Sequence, residues 1–323
     1  MPAKLNPRKL EVCVATLLFS VLIPATSNAQ AWVPAKGEGS VSVTYVNDYV
    51  RNHVSGTGVR NPQLGRIRSH STITSFEYGI TDKFALNVDL PQVASKYIGN
   101  TPHGPLDTGK YHSTFQDLRM ELRYNAVRNP LLLTPFIGAI IPTHDYEVRG
   151  HSAPGRGFKQ LLIGINAGRQ LAGKLRNVYV DGRYYYAIQS RFEGFKLNRS
   201  NADWEVGWLA NQRLSLRFFG SWQTTHGGFP TGVGFHLDDH ELEFHDRITR
   251  SKLVHLGGGA NILVKGPLSV HAAYFGTTYA RSSHAGGGPA VGVSWNFSKG
   301  FNPGLRASYP TPGNPRVLTQ AFD

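Results

Sequence analysis

The 323-residue sequence contains one cysteine, two methionines and few charges, with Asp, Glu, Lys and Arg together making up 17%. Cys13 is the only thiol and lies inside an N-terminal apolar run, which leaves the rest of the chain with no disulfide framework and no thiolate site. A lipid-anchor reading of Cys13 fails, because Glu11 and Val12 precede it and most of the apolar run follows it. No later segment approaches 18 uninterrupted apolar residues, which excludes a helical membrane protein. No glycine-rich phosphate loop follows a strand and opens a helix, so neither nucleotide chemistry nor a cofactor is expected.

The N-terminus reads as an export signal. Lys4, Arg8 and Lys9 precede the apolar run Val12 to Pro24, and Ala29-Gln30-Ala31 follows as a small-residue cleavage site. Residues 1–31 are therefore assigned to a signal peptide, with the mature chain expected to begin at Trp32. The formal charge is +13, of which the signal carries a net +2, leaving +11. These basic residues neither cluster nor interleave with stacking aromatics, so no nucleic-acid partner is expected. Anionic headgroups, lipopolysaccharide included, and small solutes are the expected partners.

One stretch shows how the remainder is built. In Asp117-Leu118-Arg119-Met120-Glu121-Leu122-Arg123-Tyr124 every odd position is charged and every even one is apolar or aromatic. Strand side chains alternate between faces, so charges line one side and large apolar groups the other. A helix would scatter them around its circumference. Apolar groups toward lipid with charges toward a wet interior is the pattern of a transmembrane β-barrel. Phe84 to Leu90, Val178 to Tyr186, Trp204 to Trp208 and Leu214 to Trp222 repeat the alternation, whereas 131–143 is apolar on both faces.

Twelve strands are expected, near 39–50, 66–80, 84–95, 114–126, 131–143, 160–171, 178–190, 201–209, 213–225, 252–264, 268–281 and 289–297. The region 226–251 has room for one further hairpin. Short connections at 81–83, 127–130, 172–177, 210–212 and 265–267 alternate with mostly longer ones, as in outer-membrane barrels with periplasmic termini. Both the even strand count and this alternation predict an antiparallel transmembrane β-barrel over 32–297, in the outer membrane of a Gram-negative bacterium. The last strand ends in Phe297, as closing strands read by barrel-assembly machinery commonly do. The 26 residues after it hold four prolines and three glycines and read as an extended periplasmic tail, 298–323.

Gly37-Glu38-Gly39-Ser40-Val41-Ser42-Val43, Glu77-Tyr78-Gly79-Ile80-Thr81-Asp82-Lys83, Asn87-Val88-Asp89-Leu90-Pro91 and Gln116-Asp117-Leu118-Arg119 carry a family resemblance. They resemble the outer-membrane barrel proteins associated with the meta-pathway of phenol degradation, described as transporters. The resemblance implies a passive channel for small solutes, hydrophobic or aromatic ones among them, and transfers no individual functional residue.

The expected lumen residues are Asp89, Asp117, Arg119, Glu121, Arg123, Asp181, Arg183, Asp203, Glu205 and Arg217, with His255 and His271 beside them. Placing an arginine on the lipid face would cost about 2–4 kcal/mol near the midplane. Strand neighbours suggest Asp89 with Arg119, and Arg183 with Asp203 or Glu205. Such charges either form a selective constriction or seal a narrow lumen as an ion-pair ladder. A barrel working only through its surface loops, structural or adhesive, is the alternative to a channel.

Metal binding and catalysis rank below both readings. His226, His236, His240 and His245 share a loop with Asp238, Asp239, Glu241, Glu243 and Asp246, but their spacing matches no metal motif. Gly150-His151-Ser152-Ala153-Pro154-Gly155-Arg156 weakly resembles the histidine–serine pair of outer-membrane phospholipase, and His70-Ser71 is a second adjacent pair. Neither comes with an identifiable orienting group, so an enzyme is not expected.

Overall fold

The structure, a computed structural model, describes residues 31–231 and 239–298. Twelve antiparallel strands close into a barrel: β1 Gly39–Val50, β2 Arg66–Gly79, β3 Phe84–Ile98, β4 Asp117–Tyr124, β5 Leu132–Pro142 and β6 Gln160–Gln170, followed by β7 Val178–Gln189, β8 Arg199–Leu209, β9 Leu214–Thr225, β10 Lys252–Lys265, β11 Leu268–Arg281 and β12 Gly287–Phe297. Each strand pairs with its sequence neighbour. The circle closes between β1 and β12, from Gly39 opposite Phe297 to Val46 opposite Ala290. Closure removes both sheet edges, as a backbone immersed in hydrocarbon requires.

Alternation fixes the two faces. Val43, Ile163, Val206, Phe218, Ile262 and Val293 are among the apolar side chains exposed around the outside. An apolar band this continuous is stable only against lipid. Trp208, Trp295, Phe84 and Tyr124 border it near the tight turns, and Tyr45, Tyr184, Trp222 and Tyr274 toward the long loops. Aromatic rings at both water–hydrocarbon boundaries mark the ends of the membrane-spanning band. The architecture is that of an outer-membrane β-barrel.

Inside, strand β5 explains its two apolar faces. Its inward Phe136 and Ile140 join Leu162, Tyr185 and Ala187 in a cluster filling part of the lumen. Gly164 opposite them leaves room for the Phe136 ring and the Tyr185 Cβ, which a Cβ there would meet at 2.6 and 2.5 Å. A second cluster, Val46, Ile73, Phe219, Phe275, Ala273 and Ala290, fills another part of the interior.

Two departures from the expected strands have local causes. The strand predicted at 114–126 begins at His112, and His112–Phe115 pairs with β3 before a break at Gln116, whose N–H bonds to the Pro91 carbonyl at 2.9 Å. Room for an extra hairpin at 226–251 is not used as such: its described residues include two short helices, α1 Asp239–Glu243 and α2 His245–Ile248. With the three-stranded sheet Asn52–Val54, Arg60–Asn61 and Ser283–Ala285, they belong to a cap of long loops over one mouth. Residues 1–30 and 299–323, covering most of the expected signal and nearly all of the tail, lie outside the described residues.

Candidate functional site

All ten expected lumen residues, together with His255 and His271, are buried inside the barrel. The register sets Asp89 opposite Arg119 and Arg183 opposite Asp203, the pairings anticipated from strand order. The ion pairs also run along one strand and across the lumen, between strands distant in sequence. Glu121 on β4 accepts from Arg119 at 2.8 Å and, across the barrel, from both terminal nitrogens of Arg183 on β7, at 2.5 and 3.2 Å. Arg123 pairs with Glu77 of β2. Glu205 accepts from Arg217 at 3.3 Å and from the Tyr179 hydroxyl at 2.5 Å. Strand adjacency alone could not reveal the Glu121–Arg183 bridge, because those strands are not neighbours in the sheet.

Aromatic rings hold the arginines as well. The Arg183 guanidinium lies 4.0 Å from the Phe136 ring centre and 4.8 Å from that of Tyr185, which Arg119 also approaches at 5.1 Å. Such stacking favours a planar cation taken out of water. Gly207 leaves the space that the Tyr179 ring occupies. Buried charges of both signs, hydrogen-bonded and stacked, stand in the barrel interior.

Each mouth has its own closure. Near the tight turns, the Ala31 N–H bonds to Asp181 at 2.9 Å, and Thr134 donates to the Ala31 carbonyl at 2.6 Å. Trp32 meets Tyr179 edge to face, with ring centres 6.3 Å apart. The sequence assigned Ala31 to the signal; here it is buried in the barrel mouth.

At the opposite mouth the long loops converge. The buried Asp107 carboxylate accepts from the backbone N–H groups of His103, His151 and Ser152, each at 3.0 Å, and from the Ser152 hydroxyl at 2.8 Å. Gly150 makes this turn possible: its φ of +93° suits glycine, and a Cβ would press on Asp107 at 3.0 Å. Below lies a cavity of about 130 Å³ lined partly by Val50, Ile67, Val93 and Leu253 and partly by Asp48 and His284.

This cap gathers His53, His103, His151, His245 and His284 from five different loops. Ring centres of His103 and His151 are 4.1 Å apart, and those of His53 and His151 4.5 Å. Burial first, and then the neighbouring His284, pushes the His53 imidazole down to about 3. Burial likewise lowers His103, His151 and His284, which favours their neutral forms. The sequence reading found no metal motif among the histidines of the 226–249 loop, and those of them that are described sit apart. His226 bonds Ser200 at 2.8 Å, His240 meets Glu193 at 2.6 Å, and His236 lies outside the described residues. Among the described residues of that set, His245 and Asp246 join the cluster.

The two histidine–serine pairs do not assemble a nucleophile. Ser152 donates to Asp107 and faces no imidazole base, while the His151 ring stacks on Tyr97 with centres 4.8 Å apart. His70 and Ser71 point to opposite faces of β2, where His70 bonds Tyr45 and Tyr111 on the outer surface.

The chain matches no protein-family model and no curated protein. Among solved structures it is similar to an outer membrane channel from Pseudomonas putida F1, with a TM-score of 0.62, 13% identity, and coverage of 83% of this chain and 98% of that one. Looser likenesses are to the translocator domain of the autotransporter NalP from Neisseria meningitidis (TM-score 0.47, 11% identity, 90% and 94% covered) and to the NanC porin (0.45, 9%, 80% and 100%). At 13% identity the first is a likeness of fold.

Proposed function

We propose that this protein is an outer-membrane channel for small solutes, hydrophobic or aromatic ones among them, captured with its lumen shut. The observation that carries the reading is the Glu121-centred ladder: paired charges, where an apolar filling would serve, occupy the interior of a closed barrel. Replacing buried ion pairs with apolar groups is often neutral or stabilising, so stability alone gives no reason for this ladder. Charges that can exchange protein partners for water suit a constriction that wets when it opens.

The capped cavity supports the solute class. At about 130 Å³ it has room for a small solute, and it offers Val50, Ile67, Val93 and Leu253 to apolar surface among a larger number of polar and charged side chains. The Pseudomonas putida protein sharing the fold is itself described as an outer membrane channel.

Single-channel recording of refolded protein in a planar bilayer tests the reading. The wild-type barrel should show rare or small openings, and Glu121→Ala should raise the open probability and shift selectivity toward anions. A folded barrel that stays silent both as wild type and as Glu121→Ala would overturn the proposal in favour of a structural barrel acting through its loops.

A further inference from the structure

The geometry points to a transition-metal site at the centre of the extracellular cap, in which His53, His151 and His284 take one Zn²⁺-class ion. His103, His245 and Asp246 flank it. The site is independent of whether the barrel conducts.

Nitrogen atoms of His53, His151 and His284 lie within 4.8 Å of one another, and the same spacing relates two overlapping triads, His103–His151–His245 and His245–Asp246–His284. Ligand nitrogens about 2.0–2.1 Å from a tetrahedral ion are about 3.4 Å apart, so small side-chain rotations close the set. His53 Nε2 and both ring nitrogens of His151 are buried with no hydrogen-bond partner. A buried polar atom left unsatisfied is costly, and a metal would satisfy His53 Nε2 and one of the two His151 nitrogens together.

The surroundings fix the rings as supporting groups of metal sites do. His53 and His284 are direct cross-strand partners in the small cap sheet, with ring centres 4.6 Å apart. Asp107 anchors the backbones of His103 and His151. His245 Nδ1 lies 2.8 Å from the Leu242 carbonyl; a proton there leaves Nε2 as a lone-pair donor, 3.3 Å from Asp246. Asp246 also stands 3.8 Å from His284 Nδ1 and supplies negative charge beside the triad. Imidazole ligands select Zn²⁺, Cu²⁺ or Ni²⁺, whereas Ca²⁺ and Mg²⁺ need oxygen cages. Such an ion would tie the loops after β1, β5 and β11 together over the cavity, with those after β3 and β9 alongside.

The test uses full mature protein refolded in detergent without a histidine tag, titrated with Zn²⁺ and with Co²⁺. One ion per chain is expected, with intense visible Co²⁺ bands of tetrahedral coordination and no competition from Ca²⁺ or Mg²⁺. His151→Asn and His284→Gln should each weaken Zn²⁺ binding at least about tenfold, while His240→Ala should leave it unchanged. Zn²⁺ should also slow tryptic cleavage of the cap loops in wild-type protein and not in His284→Gln. Absence of bound Zn²⁺ and of Co²⁺ bands in the folded wild type would overturn the assignment. Equal affinity in wild type, His151→Asn and His284→Gln would overturn it as well. If His151→Asn fails to fold, His284→Gln and the wild-type Co²⁺ spectrum decide.

Discussion

The barrel interior and the cap both bury polar side chains, but they satisfy them differently. Inside, each named arginine has a carboxylate or an aromatic face: Glu121 serves Arg119 and Arg183, Glu77 serves Arg123, and Glu205 serves Arg217. Under the loops, neutral imidazoles crowd together around nitrogens that no protein group meets. In the interior the charges of the arginines are met by carboxylates and rings, whereas the cap gathers uncharged ring nitrogens, the donor set that suits a metal. Burying a charge demands a partner within the protein; burying a neutral imidazole leaves a lone pair that a metal can claim later.

The comparison can be broken most forcefully at Glu121. Replacing it with alanine strips the shared partner from two buried arginines and should cost about 3–5 kcal/mol. Heat-modifiable migration of the folded barrel on gels should then be lost at lower temperature than in wild type. Asp107→Ala should cost about 2–3 kcal/mol, confined to the cap, through its lost charge-assisted bonds. Protease should cut 99–111 and 143–159 faster, while the barrel's unfolding temperature stays near the wild-type value. If both variants loosened the whole molecule alike, the interior and the cap would be one cooperative unit.

Smaller changes sharpen the contrast. Tyr179→Phe removes a hydroxyl bond to Glu205 and should destabilise the barrel by about 2 kcal/mol, since bonds to charged groups are worth about 1.5–3. Trp32→Leu forfeits an edge-to-face ring contact worth about 1 kcal/mol. Its effect should be seen as more frequent channel openings before it is seen in stability.

Much of this was legible beforehand. The opening pattern of 117–124 placed Arg119, Glu121 and Arg123 inward because a strand alternates faces whatever its neighbours do. Strand limits came within a few residues for β1, β6, β7 and β11, where tight turns or apolar alternation mark both ends. The face of β5 was not legible, since Phe136 and Ile140 serve the lumen with the same apolar chemistry that Ile137 and Ile141 offer to lipid. Pairing across the lumen was legible only as a general expectation, because which charges meet depends on barrel radius and stagger.

For this chain the sequence by itself determined strand, facing and closure: period-two alternation and loop alternation are local signals, and a membrane barrel leaves the backbone no other way to satisfy its hydrogen bonds. Only the tertiary structure decided that Glu121 reaches Arg183 and that His53, His103, His151, His245 and His284 converge. Those residues lie far apart along the chain on separate strands and loops. What joins them is the curvature of the closed sheet and the Asp107-anchored fold of the cap, neither of which has a local spacing to betray it.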